Sequence, residues 1–423
     1  MPHQYSITYA QELDDQDKLS QFREQFYAPY LRGKRATYFL GNSLGLQPKN
    51  TQEEILKIMD GWANFGVEGF FLGNDPWLNY HQHITPLLTD IIGAKQEEIV
   101  TMNHLTVNLH LLMISFYQPT QTRYKIICEA RAFPSDQYAF QSQVKLHGFD
   151  SADAIIEVYP KDGTELISTE DILAAIEEHK DSVALVLFSG INYYTGQVFD
   201  IKAITAAAHK AGAYAGFDLA HAAGNIKLQL HEWEVDFAAW CNYKYLNSGP
   251  GAIAGAFVHE RHLSDSKLPR LEGWWGNNIS NRFKMKKTFT PSATAESWSM
   301  STSPIILLAA HKASLEVFKA AGFDNLLDKS KALSDYLFFA LNHINQPEQR
   351  FTIITPQDAS QRGCQVSISV HENAKAIFDT LMPLGIFADW REPNVIRVAP
   401  VPLYNSFEEI FIFADTLRQL LNT

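Results

Sequence analysis

Between residues 124 and 258 the chain alternates short unbroken apolar runs with helix-length segments, and few architectures accept that pattern. YKIIC (124–128), AIIEVY (154–159), VALVLF (183–188), AYAGFDLA (213–220) and VDFAAWC (235–241) are strand-length runs without polar alternation. Strands of this kind are buried on both faces, as in a parallel sheet covered by helices. The intervening segments 135–147, 169–179 and 200–212 have helical spacing, and 169–179 opens with Thr169 as a cap followed by early acids. The expected class is therefore α/β, a mostly parallel central sheet between helical layers. Ligands in such sheets sit beyond the carboxyl ends of the strands, so the polar residues there come first.

Three successive strand ends carry unusual polar groups. Ser189-Gly190 follows VALVLF, Asp218 and His221 end the next run, and Tyr243-Lys244 follows FAAWCN. An aspartate and a lysine at the ends of buried strands are costly unless each has a partner. The separation of Asp218 from Lys244 allows one crossover to a neighbouring strand, which would turn both toward one pocket. The glycines of LNSGPGAIAGAF let the backbone bend close to a bound group. Pyridoxal phosphate asks for this set: a lysine amine for a Schiff base and an acid that keeps the pyridine nitrogen protonated. Its phosphate needs N–H groups at a helix start, and NHLTVNLHLLM (103–113) offers one with Leu105 and Thr106 in the first turn.

The chain around these residues resembles the kynureninase family, pyridoxal-phosphate enzymes of the aspartate-aminotransferase-like fold. The resemblance runs through YFLGNSLGLQPK (38–49), LTVNLHLLM (105–113), AFPSDQYA (132–139) and LFSGINYYTGQ (187–197). It continues through GFDLAHAAGN (216–225), the stretch 236–260, RGCQVSI (362–368) and IRVAPVPLYNSF (396–407). It implies a PLP-dependent hydrolase that cleaves the Cβ–Cγ bond of kynurenine or 3-hydroxykynurenine, in tryptophan catabolism or NAD synthesis, as a homodimer. Carried over residue by residue, Lys244 holds the cofactor and shuttles protons, Asp218 meets the ring nitrogen, and His221 contacts the cofactor. Leu105 and Thr106 meet the phosphate, and Phe133, Pro134, Ser135 and Asp136 form the stacking side of the pocket. Ser189 and Tyr243 complete the cofactor contacts, with Tyr243 also an acid or base at the substrate carbonyl. Trp274 and Thr302 resemble residues reaching in from a partner subunit, and Arg397 resembles the clamp for the substrate α-carboxylate. Ser43 and Val67 fall on the substrate side; Val67 and Thr302 stand where some members carry histidine and asparagine.

Organisation outside the alternating region is read more coarsely. A mostly polar helix is expected over 11–30, and another over 52–65 with Ile55, Ile58, Met59 and Trp62 on one face. After about 303 come two long helices (304–322 and 325–343), strands at 365–370 and 395–400, a helix near 373–382 and a last helix at 407–421. This predicts a large cofactor-binding domain over 61–302 and a smaller α+β domain from 1–60 with 303–423.

Composition narrows the setting. Forty-seven acidic against 35 basic side chains give a net charge of −12, which argues against a nucleic-acid footprint. The polar, acidic N-terminus resembles neither a secretory signal nor a transit peptide, and no apolar run reaches the ~20 residues of a membrane span. Three cysteines cannot build a disulfide framework, so a reduced, cytoplasmic setting is expected. They also weigh against the alternative of a cysteine desulfurase on the same fold, which needs a thiol on a mobile loop, whereas Cys128, Cys241 and Cys364 lie in apolar runs. An aminotransferase is the other alternative within the fold.

Overall fold

The apolar runs become the strands of one seven-stranded sheet in a computed structural model that describes residues 3–422. In chain order these are β1 (Ile99–Thr101), β2 (Lys125–Glu129), β3 (Ile155–Val158), β4 (Val183–Ser189), β5 (Tyr214–Asp218), β6 (Phe237–Cys241) and β7 (Ala254–Val258). Across the sheet they lie in the order β1-β7-β6-β5-β4-β2-β3. Neighbours from β6 to β3 are parallel, and β7 runs antiparallel to both β6 and β1. Successive side chains of a strand point to opposite faces. Val186, Phe188, Phe217, Ala238 and Trp240 accordingly join one apolar cluster, and Leu185, Leu187, Phe237 and Ala239 the other. Both faces are buried, which is why polar alternation is missing from the sequence.

The main helices, in chain order, are α1 (Ile7–Asp15), α2 (Thr51–Phe65), α3 (Leu105–Phe116), α4 (Pro134–Leu146), α5 (Thr169–Glu178), α6 (Ile201–Lys210), α7 (Ile305–Ala321), α8 (Phe323–Ile344), α9 (Ala374–Leu381) and α10 (Phe407–Leu421); a further eight-residue helix covers Thr85–Ile92. α3 and α4 cover one face of the sheet through Leu109, Leu112, Phe140 and Val144. α5 and α6 cover the other through Ile172, Ile176, Ile201 and Ile204.

A second, antiparallel sheet is built from β8 (Phe351–Ile353), β9 (Val366–Val370), β10 (Asp389–Arg391) and β11 (Val395–Val398), in the order β8-β9-β11-β10. It shares a third apolar cluster with α8, α9 and α10. The N-terminal segment is tied to this part of the molecule. The Asp14 carboxylate accepts the N–H groups of Phe407 and Glu408 at 2.7 and 2.9 Å, the first turn of α10. Thr37 and Tyr38 pair in parallel with Ile386 and Phe387.

Three local expectations are corrected. Residues 11–30 do not form one helix: α1 ends at Asp15, a 3₁₀ turn covers Ser20–Gln25, and Phe26–Tyr27 is extended. The polar segment has too few apolar positions to hold a helix, and its acids are used elsewhere, Asp14 on α10 and Asp17 in a 2.6 Å ion pair with Lys329. On α2 only Ile58 of the expected apolar face is buried, while Met59 and Trp62 are 47% and 64% exposed. α5 is capped by Ser168, whose hydroxyl accepts the Asp171 N–H, and Thr169 is the first helical residue. A border at 60/61 falls inside α2.

Candidate active site

Because β2, β4, β5 and β6 are parallel, their carboxyl ends share one edge of the sheet. β2 ends in Glu129, β4 in Ser189 and β5 in Asp218, and three residues beyond β6 stands Lys244. Asp218 is in register with Ser189 on one side and Ala239 on the other. Two helix starts point to the same place. The residue before α3, His104, makes no side-chain cap, so the first-turn N–H groups at Leu105 and Thr106 lack an internal side-chain acceptor. α4 begins at Phe133-Pro134, with proline where its missing N–H costs nothing, and brings Ser135 and Asp136 inward.

These elements enclose a cavity of about 430 Å³. Its walls include Ser43, Leu105, Thr106, Phe133, Ser135, Asp136, Ser189, Asp218, His221, Tyr243 and Lys244, all expected from the sequence. Pro134 sets the start of α4 without lining the cavity. Arg397, Val67, Trp274 and Thr302 are not wall residues. Arg397 is wholly buried just behind the wall, bound to the Tyr193 carbonyl and to Asp389. Val67 is 72% and Trp274 50% exposed in the single chain, and Trp275 beside it is buried. The cavity also has walls that sequence reasoning missed: Asn42, His104, Glu129, Tyr193 and Arg391. Glu129 carries the same signal as Asp218, an acid ending a buried strand. Arg391 carries none, because its place depends on how the second sheet docks. A larger cleft of about 900 Å³, between α5, α6 and α8, holds none of the strand-end groups.

Charge divides the cavity into two poles. Glu129, Asp136 and Asp218 form a buried acidic floor. Burial pushes the Asp218 carboxyl up, against the Ala220 N–H it accepts at 2.7 Å and the charge of Lys244. Burial, then the charges of Asp218 and Glu129, push Asp136 well above the carboxylate range. Glu129 is raised to about 7 by burial, although both its oxygens accept the Ser189 N–H at 3.1 Å. Such a floor gains from a cation and is costly without one. The cations of the cavity wall are Lys244 and Arg391, with Arg397 buried behind it. His221, fully enclosed between the poles, is held far below its usual range by burial and then by Lys244, Arg397 and Arg391. Its Nδ1 is buried without a partner among the described residues. Tyr243 is raised by burial and so stays a neutral phenol. Lys244 Nζ lies 5.9 Å from the centre of the Phe133 ring and 6.0 Å from that of Tyr243.

An uncapped helix start, an acidic floor, a reachable amine and a buried imidazole with its Nδ1 unpartnered fit pyridoxal phosphate. Its phosphate suits α3, its ring nitrogen the floor and its carbonyl carbon Lys244. The chain is 53% identical over 420 residues to the kynureninase of Flavobacterium psychrophilum, covering 99% of each. It belongs to the kynureninase family. Kynureninase of Mus musculus is 46% identical, with 98% of this chain and 93% of that one aligned. The family model described as the kynureninase C-terminal domain matches residues 326–417, which hold the second sheet. Among solved structures, apo cysteine desulfurase from Thermococcus onnurineus superimposes with a TM-score of 0.74 at 18% identity, over 92% of this chain and 95% of that one. A C-DES variant with glycine covalently linked to its PLP cofactor gives 0.75 at 19% identity, over 94% and 98%. At such identities the likeness is one of fold, that of the fold-type-I PLP enzymes. The cysteines separate kynureninase relatives from desulfurase-like chemistry here: all three are buried, and burial raises Cys128, Cys241 and Cys364, the last to about 12. A thiol so placed is a poor nucleophile.

Proposed function

We infer that the chain is a PLP-dependent hydrolase that adds water across the Cβ–Cγ bond of L-kynurenine or L-3-hydroxykynurenine. The products are anthranilate or 3-hydroxyanthranilate and L-alanine. One observation carries the reading: in a member of this family, Lys244 and the buried Asp218–Asp136 pair share one cavity at the carboxyl edge of the sheet.

Bound pyridoxal phosphate supplies an electron sink for negative charge at Cα and Cβ. The protein supplies the rest. Lys244 Nζ would tether the cofactor and would take and return the proton at the substrate Cα. Asp218, with Asp136 beside it, would hold the ring nitrogen as a cation, because a positive charge there favours the ionised form of a buried carboxyl. Leu105 and Thr106 would hold the phosphate end by N–H groups and a hydroxyl, while Phe133, Ser135, Ser189 and His221 would flank the ring and Pro134 sets the start of α4 that carries them. Tyr243, held neutral by its burial, has a proton to give to the γ-carbonyl oxygen as water adds. Arg397 and Ser43 orient the substrate carboxylate, and Val67 and Thr302 shape the aromatic-ring side.

The same reading makes the protein a homodimer. Leu56, Met59, Trp62 and Phe65 on α2 are exposed, as are Val67, Phe71 and Leu72 beyond it and Trp274, Phe283 and Met285. Phe71 and Phe283 pack 6.0 Å apart, which joins the two stretches into one face. An apolar patch of this extent needs a cover. A second subunit would provide one, and would bring Trp274 and Thr302 to a cavity they do not reach within one chain. The two-part division, 61–302 against 1–60 with 303–423, and a cytoplasmic setting belong to the same proposal. The free cysteines support the latter. Among the described residues no helix is long and apolar enough to cross a membrane.

Incubating PLP-loaded protein with kynurenine and with 3-hydroxykynurenine tests the assignment. Equal amounts of aromatic acid and alanine are expected; neither product, despite cofactor absorbance typical of a lysine adduct, overturns it.

A further inference from the structure

We propose that Arg391 supplies the cavity-side contact to the substrate α-carboxylate, with Asp389 holding its guanidinium group beside that of Arg397. The proposal rests on the kynureninase reading and adds a residue to it. Register places the three side chains. Asp389 on β10 lies directly across from Arg397 on β11, and Arg391 is two residues further along β10, on the same face as Asp389. Arg397 is fully enclosed, donates to the Tyr193 carbonyl and is ion-paired with Asp389. Arg391 is the arginine that lines the cavity. Its side chain is 34% exposed and touches Asp389 at 3.2 Å. Its Nε is buried without a hydrogen-bond partner among the described residues. The Tyr193 ring lies under both guanidinium groups, with centroid distances of 5.9 and 6.0 Å, and keeps them at one level.

The charge count at this wall is unbalanced. Two guanidinium groups share a single carboxylate, Asp389. His221 registers that excess, since Lys244, Arg397 and Arg391 all disfavour its protonation. A singly charged anion is the missing complement. A planar carboxylate matches the fork of N–H donors that a guanidinium carries, and Arg391, partly exposed and lining the cavity, can present it. Asp389 already occupies part of each guanidinium, so its role is to position them.

The test is a ligand-by-protein cycle on the loaded enzyme. L-alanine and L-alaninol, which differ in the carboxylate, are titrated into wild type, Arg391→Gln and Arg391→Lys, and binding is read from the shift in cofactor absorbance. Losing a charge-assisted, bidentate contact weakens alanine binding by roughly 10- to 100-fold in R391Q. Alaninol binding should change little, and R391K should recover part of the loss. The KM for kynurenine rises by far more than kcat falls. Equal weakening of both ligands, or alanine binding as tight in R391Q as in wild type, overturns the proposal. Failure of wild type to cleave kynurenine while it still discriminates alanine from alaninol would instead count against the function.

Discussion

The central sheet buries acidic groups at both of its edges, and the two edges treat them in opposite ways. At the carboxyl edge Asp218, Asp136 and Glu129 face a cavity and are all raised by burial. At the other edge Asp236, just before β6, is equally enclosed yet has every need met. It accepts the Ala215 N–H at 2.7 Å, His209 and His262 at 2.8 Å each, and Arg261 at 2.5 Å. Those contacts outweigh burial and hold its carboxyl far below the usual range. Buried polar groups are normally satisfied, so an acid left short of partners marks a place that awaits a ligand. The same residue type is structural at one edge and chemical at the other, and the partner count tells them apart.

The strongest way to break this comparison is at Lys244. Lys244→Ala removes the tether and the proton carrier together, and turnover of kynurenine should fall by roughly 10²–10⁴-fold or more. The melting temperature of the cofactor-free protein should barely move, because Lys244 only borders the cavity. Near-normal anthranilate release from this variant would remove the chemical meaning of the carboxyl edge.

Substituting one acid at each edge should give opposite signs. Asp236→Asn breaks a buried ionic network, which costs about 3–5 kcal/mol of stability, and should spare kcat per folded molecule. The pH sign follows from the lowered carboxyl: its stabilisation is present above the unfolded carboxylate value, ~3.9, and is lost as pH falls below it. Asp218→Asn should reduce turnover sharply and leave the cofactor-free protein as stable as wild type or more so, since it removes an acid that burial penalises. Urea unfolding without cofactor, paired with kynurenine assays, reads both variants. Destabilisation of similar size at both sites would erase the distinction.

Much of this contrast was legible in the sequence, for a physical reason. An apolar run broken by a charge at its end can be read without knowing the topology, and Ser189, Asp218 and Lys244 were found that way. Glu129 follows YKIIC in the same manner but stands just outside the motif AFPSDQYA that begins at 132. Arg391 and Tyr193 could not be read at all: their place depends on how the second sheet and the loop after β4 meet, a matter of packing. The face of α2 failed differently. Its periodicity marks burial, but within one chain Met59 and Trp62 remain exposed, so the pattern describes a surface that the single chain does not cover.

Glu129 sharpens the comparison by a smaller amount. Its carboxyl is raised to about 7, so the folded state holds a proton that the unfolded chain releases near ~4.3. Stability from this group is therefore greatest at low pH and declines as pH rises through that window, by at most about 4 kcal/mol. Glu129→Gln should flatten the urea-unfolding midpoint of cofactor-free protein between about pH 5 and 7.5. A slope unchanged by the substitution would mean that the floor's protons reside elsewhere.

The smallest expected effect is none, and it concerns a cluster that invites a metal. Glu98, His231 and His259 stand together at the satisfied edge with ligand atoms within 4.8 Å of one another. Both Glu98 oxygens and His259 Nδ1 already accept backbone donors. Glu98 Oε1 accepts the Glu260 N–H at 2.8 Å and meets His231 Nδ1 at 2.9 Å, and Oε2 accepts the Lys95 N–H at 2.9 Å. His259 Nδ1 accepts the Arg261 N–H at 3.2 Å. Zinc bound there would have to displace backbone donors and leave them buried, at about 1–3 kcal/mol each. If partner count separates the edges, micromolar zinc and an excess of chelator should both leave the melting temperature of wild type where it was. A zinc-dependent rise that Glu98→Gln abolishes would show that a filled hydrogen-bond inventory does not close a site, and the rule drawn from the two edges would fail at its simplest case.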